Sequence, residues 1–147
     1  MTVGIIFHFE DNEQSMQSGR DFDMDAWRQL FRAYQIDYYV VIDKTSDNYL
    51  SSWTDNDFEE YVVADMDAAL AIHPTHTKVF MAMGGTEIHS YTHPADNVTY
   101  IVGSDGSGYN GRDLTNETKV SITYPDSNVE LFAQQCIADC LYDRELA

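Results

Sequence analysis

Short apolar runs that stop at polar or glycine-rich segments recur along this chain and constrain its fold more than any other feature. Val3 to Phe9 (VGIIFHF), Tyr38 to Ile42 (YYVVI), Lys78 to Met83 (KVFMAM), Val98 to Gly103 (VTYIVG) and Val120 to Tyr124 (VSITY) lack helical spacing and have the length of buried strands. Between the first two, Met24, Trp27, Leu30, Phe31 and Tyr34 recur at three- and four-residue steps. Asp23 and Asp25 sit at the end where a helix dipole favours negative charge. The spacing predicts an amphipathic helix from about Asp23, and with it a strand-helix-strand unit of right-handed crossover. Residues 43–57 are rich in Ser, Thr, Asn and Asp and predict a surface loop. Tyr61 to Ala64 fits a short strand or a helix start, Asp65 to Ile72 predicts a helix that Pro74 ends, and a last helix is expected from about Val129 to Asp143. Strands alternating with helices predict an α/β fold, a mostly parallel sheet of five or six strands with helices on both faces. Ligands of such sheets lie beyond the carboxyl ends of the strands.

The 147 residues suit one domain, residues 1–147, and 44% hydrophobic content excludes disorder through lack of apolar surface. No apolar run approaches the roughly 20 residues of a membrane helix, and the start lacks a basic leader region. A cytoplasmic protein with no membrane partner is the expectation. Eight Lys and Arg against 25 Asp and Glu give a formal charge of −17. Such a surface repels polyanions and suits a salty milieu or a basic protein partner; RNA binding is expected to be weak. Cys136 and Cys140, four residues apart on the last helix, read as small buried apolar residues. His89 and His93 have the spacing of a helical metal pair, with Asp96 nearby. Thr92, Pro94 and the strand that follows argue for an irregular loop instead, and no metal is expected. His8 is expected in a core strand, and His73 and His76 at the surface.

Gly84 and Gly85 follow the third apolar run, and Gly103-Ser104-Asp105-Gly106-Ser107-Gly108 follows the fourth, so two glycine loops are expected at carboxyl ends. Glycine lets backbone approach a ligand closely, and a short acid accepts from a hydroxyl or amine. Taken alone, the second loop also fits a plain turn between two elements. It is neither a Walker loop nor a dinucleotide fingerprint, because Gly-Lys-Ser/Thr is absent and the glycine spacing differs.

Over residues 78–145 the strand VTYIVG, the loop GSDGSG, the strand VSITYP and a terminal helix with Leu141-Tyr142-Asp143 near its end resemble, in order, the SPOUT-class knotted methyltransferases of the SpoU/TrmH type. Gly103, Asp105 and Gly108 match the family's Gly-x-Glu-x-x-Gly with Asp for Glu. Ile122, Tyr124 and Pro125 roughly match its second motif. The resemblance implies a C-terminal trefoil knot, a homodimer, and S-adenosylmethionine bound by Met83, Gly84, Gly103, Ser104, Asp105, Gly108, Ile122, Tyr124 and Leu131. It also implies a catalytic arginine on the first helix, for which Arg28 and, in the preceding loop, Arg20 stand closest. The departures are specific. The family's Asn-Arg motif is not recognisable, and of its Ser-Leu-Asn segment only Leu131 survives, within Glu130-Leu131-Phe132. Two functions follow: an S-adenosylmethionine-dependent RNA ribose 2'-O-methyltransferase, or a dimeric binding module that keeps the fold without transfer.

Overall fold

A computed structural model describes residues 2–11, 19–52, 58–126 and 129–147. Strand β1 (Val3–Phe9) leads to helix α1 (Arg20–Ala33) and strand β2 (Tyr38–Asp43). After a 3-10 turn at Tyr49–Ser52 come β3 (Glu59–Val63) and the short helix α2 (Met66–Leu70). Then follow β4 (Thr77–Glu87), a 3-10 turn at Ile88–Ser90, β5 (Val98–Ile101), β6 (Thr118–Ser121) and helix α3 (Ala133–Leu146). The six strands form one sheet in the order β3-β2-β1-β5-β4-β6, and every pairing is parallel.

Both faces of the sheet are covered, which is why its central strands read as continuous apolar runs. Ile5, Phe7, Tyr39, Val41, Val79 and Tyr100 face one core with Met24, Trp27 and Phe31 of α1 and Ile137, Cys140 and Leu141 of α3. The neighbouring positions Ile6, Tyr38, Val40, Ile42, Phe80 and Ile101 face the other, with Ala69 buried there and Met66, Leu70, Tyr109 and Leu114 packed against it. The period of two along each strand sends alternate side chains to opposite cores.

The element ends differ from the sequence expectation in informative ways. Helix α1 starts three residues before Asp23, because the Asp23 amide already bonds the Gly19 carbonyl and Gly19, at φ 90°, marks the stop. Asp65 caps α2 by accepting from the Ala68 amide. The two glycines at 84 and 85 do not form a loop after β4: the strand runs through them to Glu87. Met81 and Thr86 both register opposite Val120, so the intervening residues bulge out of the ladder. Gly84 supplies the positive φ, 79°, and a Cβ on Gly85 would lie 2.5 Å from the Lys119 carbonyl carbon of β6. Strand β6 begins at Thr118 rather than Val120, and α3 occupies Ala133–Leu146 rather than 129–143. The expected loop at 43–57 contains the 3-10 turn, and its residues 53–57 lie outside the described residues.

Candidate functional site

Because the strands are parallel, the carboxyl ends of β1, β4, β5 and β6 open on the same edge, and a cavity of about 310 Å³ lies there. Its walls are Met81, Ala82 and Met83 of β4, Val102 and the loop residues Gly103, Ser104, Asp105, Gly108 and Tyr109, the stretch Val120, Ser121, Ile122 and Tyr124, and Glu130, Leu131, Ala133 and Cys136 at the head of α3. Eight of the nine residues expected to contact a cofactor therefore gather around one space. Gly84 is the exception, since the bulge in β4 carries it away from these walls. Met83 is 92% exposed and sits at the rim.

The glycine loop is closed on itself. Ser104 N donates to the Gly108 carbonyl and Gly108 N to the Ser104 carbonyl, both at 2.8 Å. A Cβ on Gly103 would lie 2.8 Å from the Gly108 carbonyl carbon, so this glycine is needed for the loop to close, ahead of any demand from a ligand. Asp105 accepts from the Ala133 amide at 2.7 Å and so ties the loop to the first turn of α3. Beneath the loop the buried Tyr109 hydroxyl donates to the carbonyls of Met81 at 2.6 Å and Ile101 at 3.0 Å, stitching the ends of β4 and β5 at the cavity floor. Burial raises its pKa, so it stays a neutral donor. Cys136 is a neutral thiol on the wall, pushed up to about 11 by burial and by Asp139.

A second, more polar cavity of about 260 Å³ adjoins, sharing Asp105 and lined further by His8, Glu10, Asp23, Trp27, Phe132, Gln134 and Gln135. Its charge balance is acidic. Burial and the neighbouring Asp105 raise the Asp23 carboxyl; burial also raises Asp105, where Glu10 adds to the effect against the Ala133 hydrogen bond. His8 is lowered to about 4 by burial and by Lys44, so its imidazole is neutral and donates from Nδ1 to the Val102 carbonyl at 3.2 Å. Glu10, Trp27, Tyr109 and Cys136 line these cavities although reasoning from motifs did not single them out for a site; Glu10, directly after an apolar run, stood where a carboxyl-end residue is expected.

The two arginines line neither cavity. Arg20 grips Asp11 through Nε and Nη2 at 2.7 and 2.6 Å, reaches Asp47 through Nη1 at 2.9 Å and lies over the Tyr49 ring. Arg28 Nη1 is 3.6 Å from Asp25. His89 and His93 do come together, but on Asp143 rather than Asp96. His89 Nδ1 is 2.8 Å from one carboxylate oxygen and His93 Nε2 2.7 Å from the other. Asp96 instead accepts from the backbone amides of Thr2 and Asn97. Among the described residues no group of three or more metal-ligating side chains is assembled. His73 and His76, expected at the surface, stack on each other at 4.7 Å beside the Tyr38 ring at the amino ends of the strands. No helix of the described residues is long and apolar enough to cross a membrane.

No known family model matches the sequence, and no curated protein does. Solved structures do. A TrmH/SpoU tRNA modifying enzyme from A. aeolicus superposes with a TM-score of 0.71 at 11% identity, covering 98% of this chain and 74% of that one. An AdoMet-bound rRNA methyltransferase from Sinorhizobium meliloti gives 0.69 at 8% identity over 99% of this chain, and the SpoU methyltransferase AviRb from Streptomyces viridochromogenes, in complex with AdoMet, gives 0.66 at 14%. The chain spans 57% and 58% of the lengths of these last two. At such identities the likeness speaks for architecture, and it covers nearly the whole chain, including the first half where the motifs are silent. The chain therefore has the fold of the SpoU/TrmH-type SPOUT methyltransferases.

Proposed function

We propose that this chain is an S-adenosylmethionine-binding protein of the SPOUT fold, with the first cavity as its cofactor site and RNA ribose 2'-O-methylation as the activity to test first. The observation that carries the reading is the convergence of the glycine loop, the segment after β6 and the head of α3 on one concave space at the carboxyl ends of the strands. Its volume lies at the small end of the roughly 300–1,000 Å³ typical of ligand pockets. Its make-up fits an adenosyl group: apolar walls from Met81, Val102, Val120, Ile122 and Leu131, with backbone and short polar side chains at the glycine loop. Bound there, S-adenosylmethionine supplies an activated methyl group. The apolar walls exclude water, and the glycine loop sets the orientation. In this reading the knot of the fold class is present, Arg20 and Arg28 are the candidates to position a substrate hydroxyl, and two copies of the chain form a dimer. Isothermal calorimetry with S-adenosylmethionine tests the site: saturable binding supports it, and absence of heat at millimolar ligand removes it.

A second reading, a binding module without transfer, is favoured by the polar cavity. Where a polyanionic acceptor would approach, Glu10, Asp23 and Asp105 present acid, while Arg20 is held by Asp11 and Asp47. Transfer of radiolabelled methyl to tRNA or rRNA separates the two.

A further inference from the structure

We infer that Glu10 is a positioning residue for the candidate cofactor loop, holding residues 103–108 in the form that lines the first cavity. The inference rests on the reading of that cavity as the cofactor site. Glu10 stands immediately beyond β1, more than 90 residues from the loop in sequence. Its Oε1 accepts from the Ser104 hydroxyl at 2.5 Å and from the Gly106 amide at 3.1 Å. The same hydroxyl accepts from the amides of Gly106 and Ser107, both at 3.2 Å. The carboxylate thus fixes the Ser104 rotor, and the rotor fixes the tip of the loop. From the other side Asp105 is anchored on the Ala133 amide. The loop is held between the end of β1 and the head of α3, so its cavity-lining atoms are set before any ligand arrives, which lowers the ordering cost of binding.

The placement runs against charge. Burial raises the Asp105 carboxyl and Glu10 adds to it, burial raises that of Asp23 and Asp105 adds to it, so a third acid at this point adds repulsion. What Glu10 offers in return is two acceptor bonds to the loop.

The test is calorimetric titration of S-adenosylmethionine into the parent protein and the variants Glu10→Gln, Glu10→Ala, Ser104→Ala and the double Glu10→Ala/Ser104→Ala, with backbone amide exchange on the same samples. The glutamine keeps an oxygen acceptor and is expected to bind within about threefold of the parent. Glu10→Ala is expected to bind at least about tenfold more weakly, which corresponds to about 1.4 kcal/mol. The loss in the double variant should be smaller than the sum of the two single losses, because the carboxylate acts in part through the hydroxyl. Amide exchange at Gly106 and Ser107 should speed up in Glu10→Ala and not in Glu10→Gln. Parent-like affinity of Glu10→Ala, equal losses in the alanine and glutamine variants, or additive losses in the double variant would each overturn the assignment. If the parent itself does not bind, the cofactor reading fails. The exchange data then judge the loop anchor alone: unchanged Gly106 and Ser107 protection in Glu10→Ala overturns it, and selective loss supports it. Should Glu10→Ala fail to fold, Glu10→Leu, which removes the acceptor and keeps the bulk, carries the same comparison.

Discussion

Gly103 is a position where one carbon atom decides whether the loop can close. A side chain there meets the Gly108 carbonyl carbon at 2.8 Å, a backbone atom that cannot move without breaking the Ser104–Gly108 pair. Gly103→Val is therefore expected to lower stability by about 1–3 kcal/mol, as overpacking does, and to abolish S-adenosylmethionine binding. Thermal melting and calorimetry check this, and an unchanged melting temperature with unchanged affinity would refute it. Asp23 and Asp105 make a pH prediction. Their folded pKa values are raised above the ordinary 3.8, so the fold holds protons more tightly than the unfolded chain and loses stability as pH rises through the raised values. Asp23→Asn should raise the melting temperature at neutral pH, with the gain vanishing below about pH 3.8. A destabilised variant at pH 7 would show that the carboxylate has a favourable partner. His89 has the same sign in a higher pH range: the hydrogen bond to Asp143 and the charge of Glu87 raise its pKa above 6.5, so its contribution is lost as pH rises through the raised value. Burial would raise the Asp143 carboxyl, but the hydrogen bonds from His93 and His89 outweigh it and hold it below 3.8. Their pairing therefore contributes most between those two values, fading above as His89 deprotonates and below as Asp143 protonates. His89→Ala should lower the melting temperature more near about pH 5 than near about pH 9, and the reverse order would count against the pair.

At the scale of elements, α1 is seated on the sheet by rings. Phe7 stacks on Trp27 at 4.3 Å and meets Phe31 edge-on at 5.5 Å, and Phe31 also contacts Tyr39 at 5.3 Å. Phe31→Ala should cost about 3–5 kcal/mol, measured by denaturant unfolding, and a loss under about 1 kcal/mol would mean that α1 is not held this way. The sequence made this helix legible, because Met24, Trp27 and Phe31 repeat at helical spacing and are its buried residues. It made the central strands legible for the same kind of reason, since runs buried on both faces are dominated by apolar residues. Strand ends were harder to read. The extension of β4 through Gly84 and Gly85 depends on the backbone of β6 approaching at Lys119, a contact between distant residues that no local pattern encodes. The glycine loop could be placed beside Ile122, Tyr124 and Leu131 because these segments follow in the order that the resemblance implied, and the fold brings them to one cavity. The anchors of that loop could not: Glu10 reaches Ser104 and Asp105 reaches Ala133 through tertiary geometry alone. The resemblance implies a homodimer, and a partner contact through the last helix would draw on the apolar residues at its head and along it. Leu141 is buried within the chain and Cys136 and Leu131 line the cavity, which leaves Phe132, with exposed Tyr142 and Leu146 further along, for any such contact.

For the molecule as a whole, charge sets what can approach the two cavities. The chain carries −17, and a dimer would carry −34 by doubling. Only a local cluster of arginines could offset this toward RNA, and Arg20, Arg28, Arg32 and Arg112 are four of the five arginines in the chain. In the fold three of them face acids of their own: Arg20 lies between Asp11 and Asp47, Arg28 beside Asp25, and Arg112 on Asp67 at 2.8 Å. Arg32 lies over the Phe58 ring. A phosphate would have to displace a carboxylate already in place at those three, so few counterions would be released from the nucleic acid, and counterion release supplies most non-specific affinity. Free tRNA is therefore expected to bind weakly at near-physiological salt, with affinity falling further as salt rises. Light scattering run alongside is expected to give about twice 16.8 kDa, a homodimer whose charge makes the repulsion larger. A gel-shift titration with bare tRNA at about 150 mM salt measures the first expectation. Submicromolar binding there would show that the fold exposes a basic surface that its ion pairs conceal, and would place RNA methylation ahead of the binding-module reading.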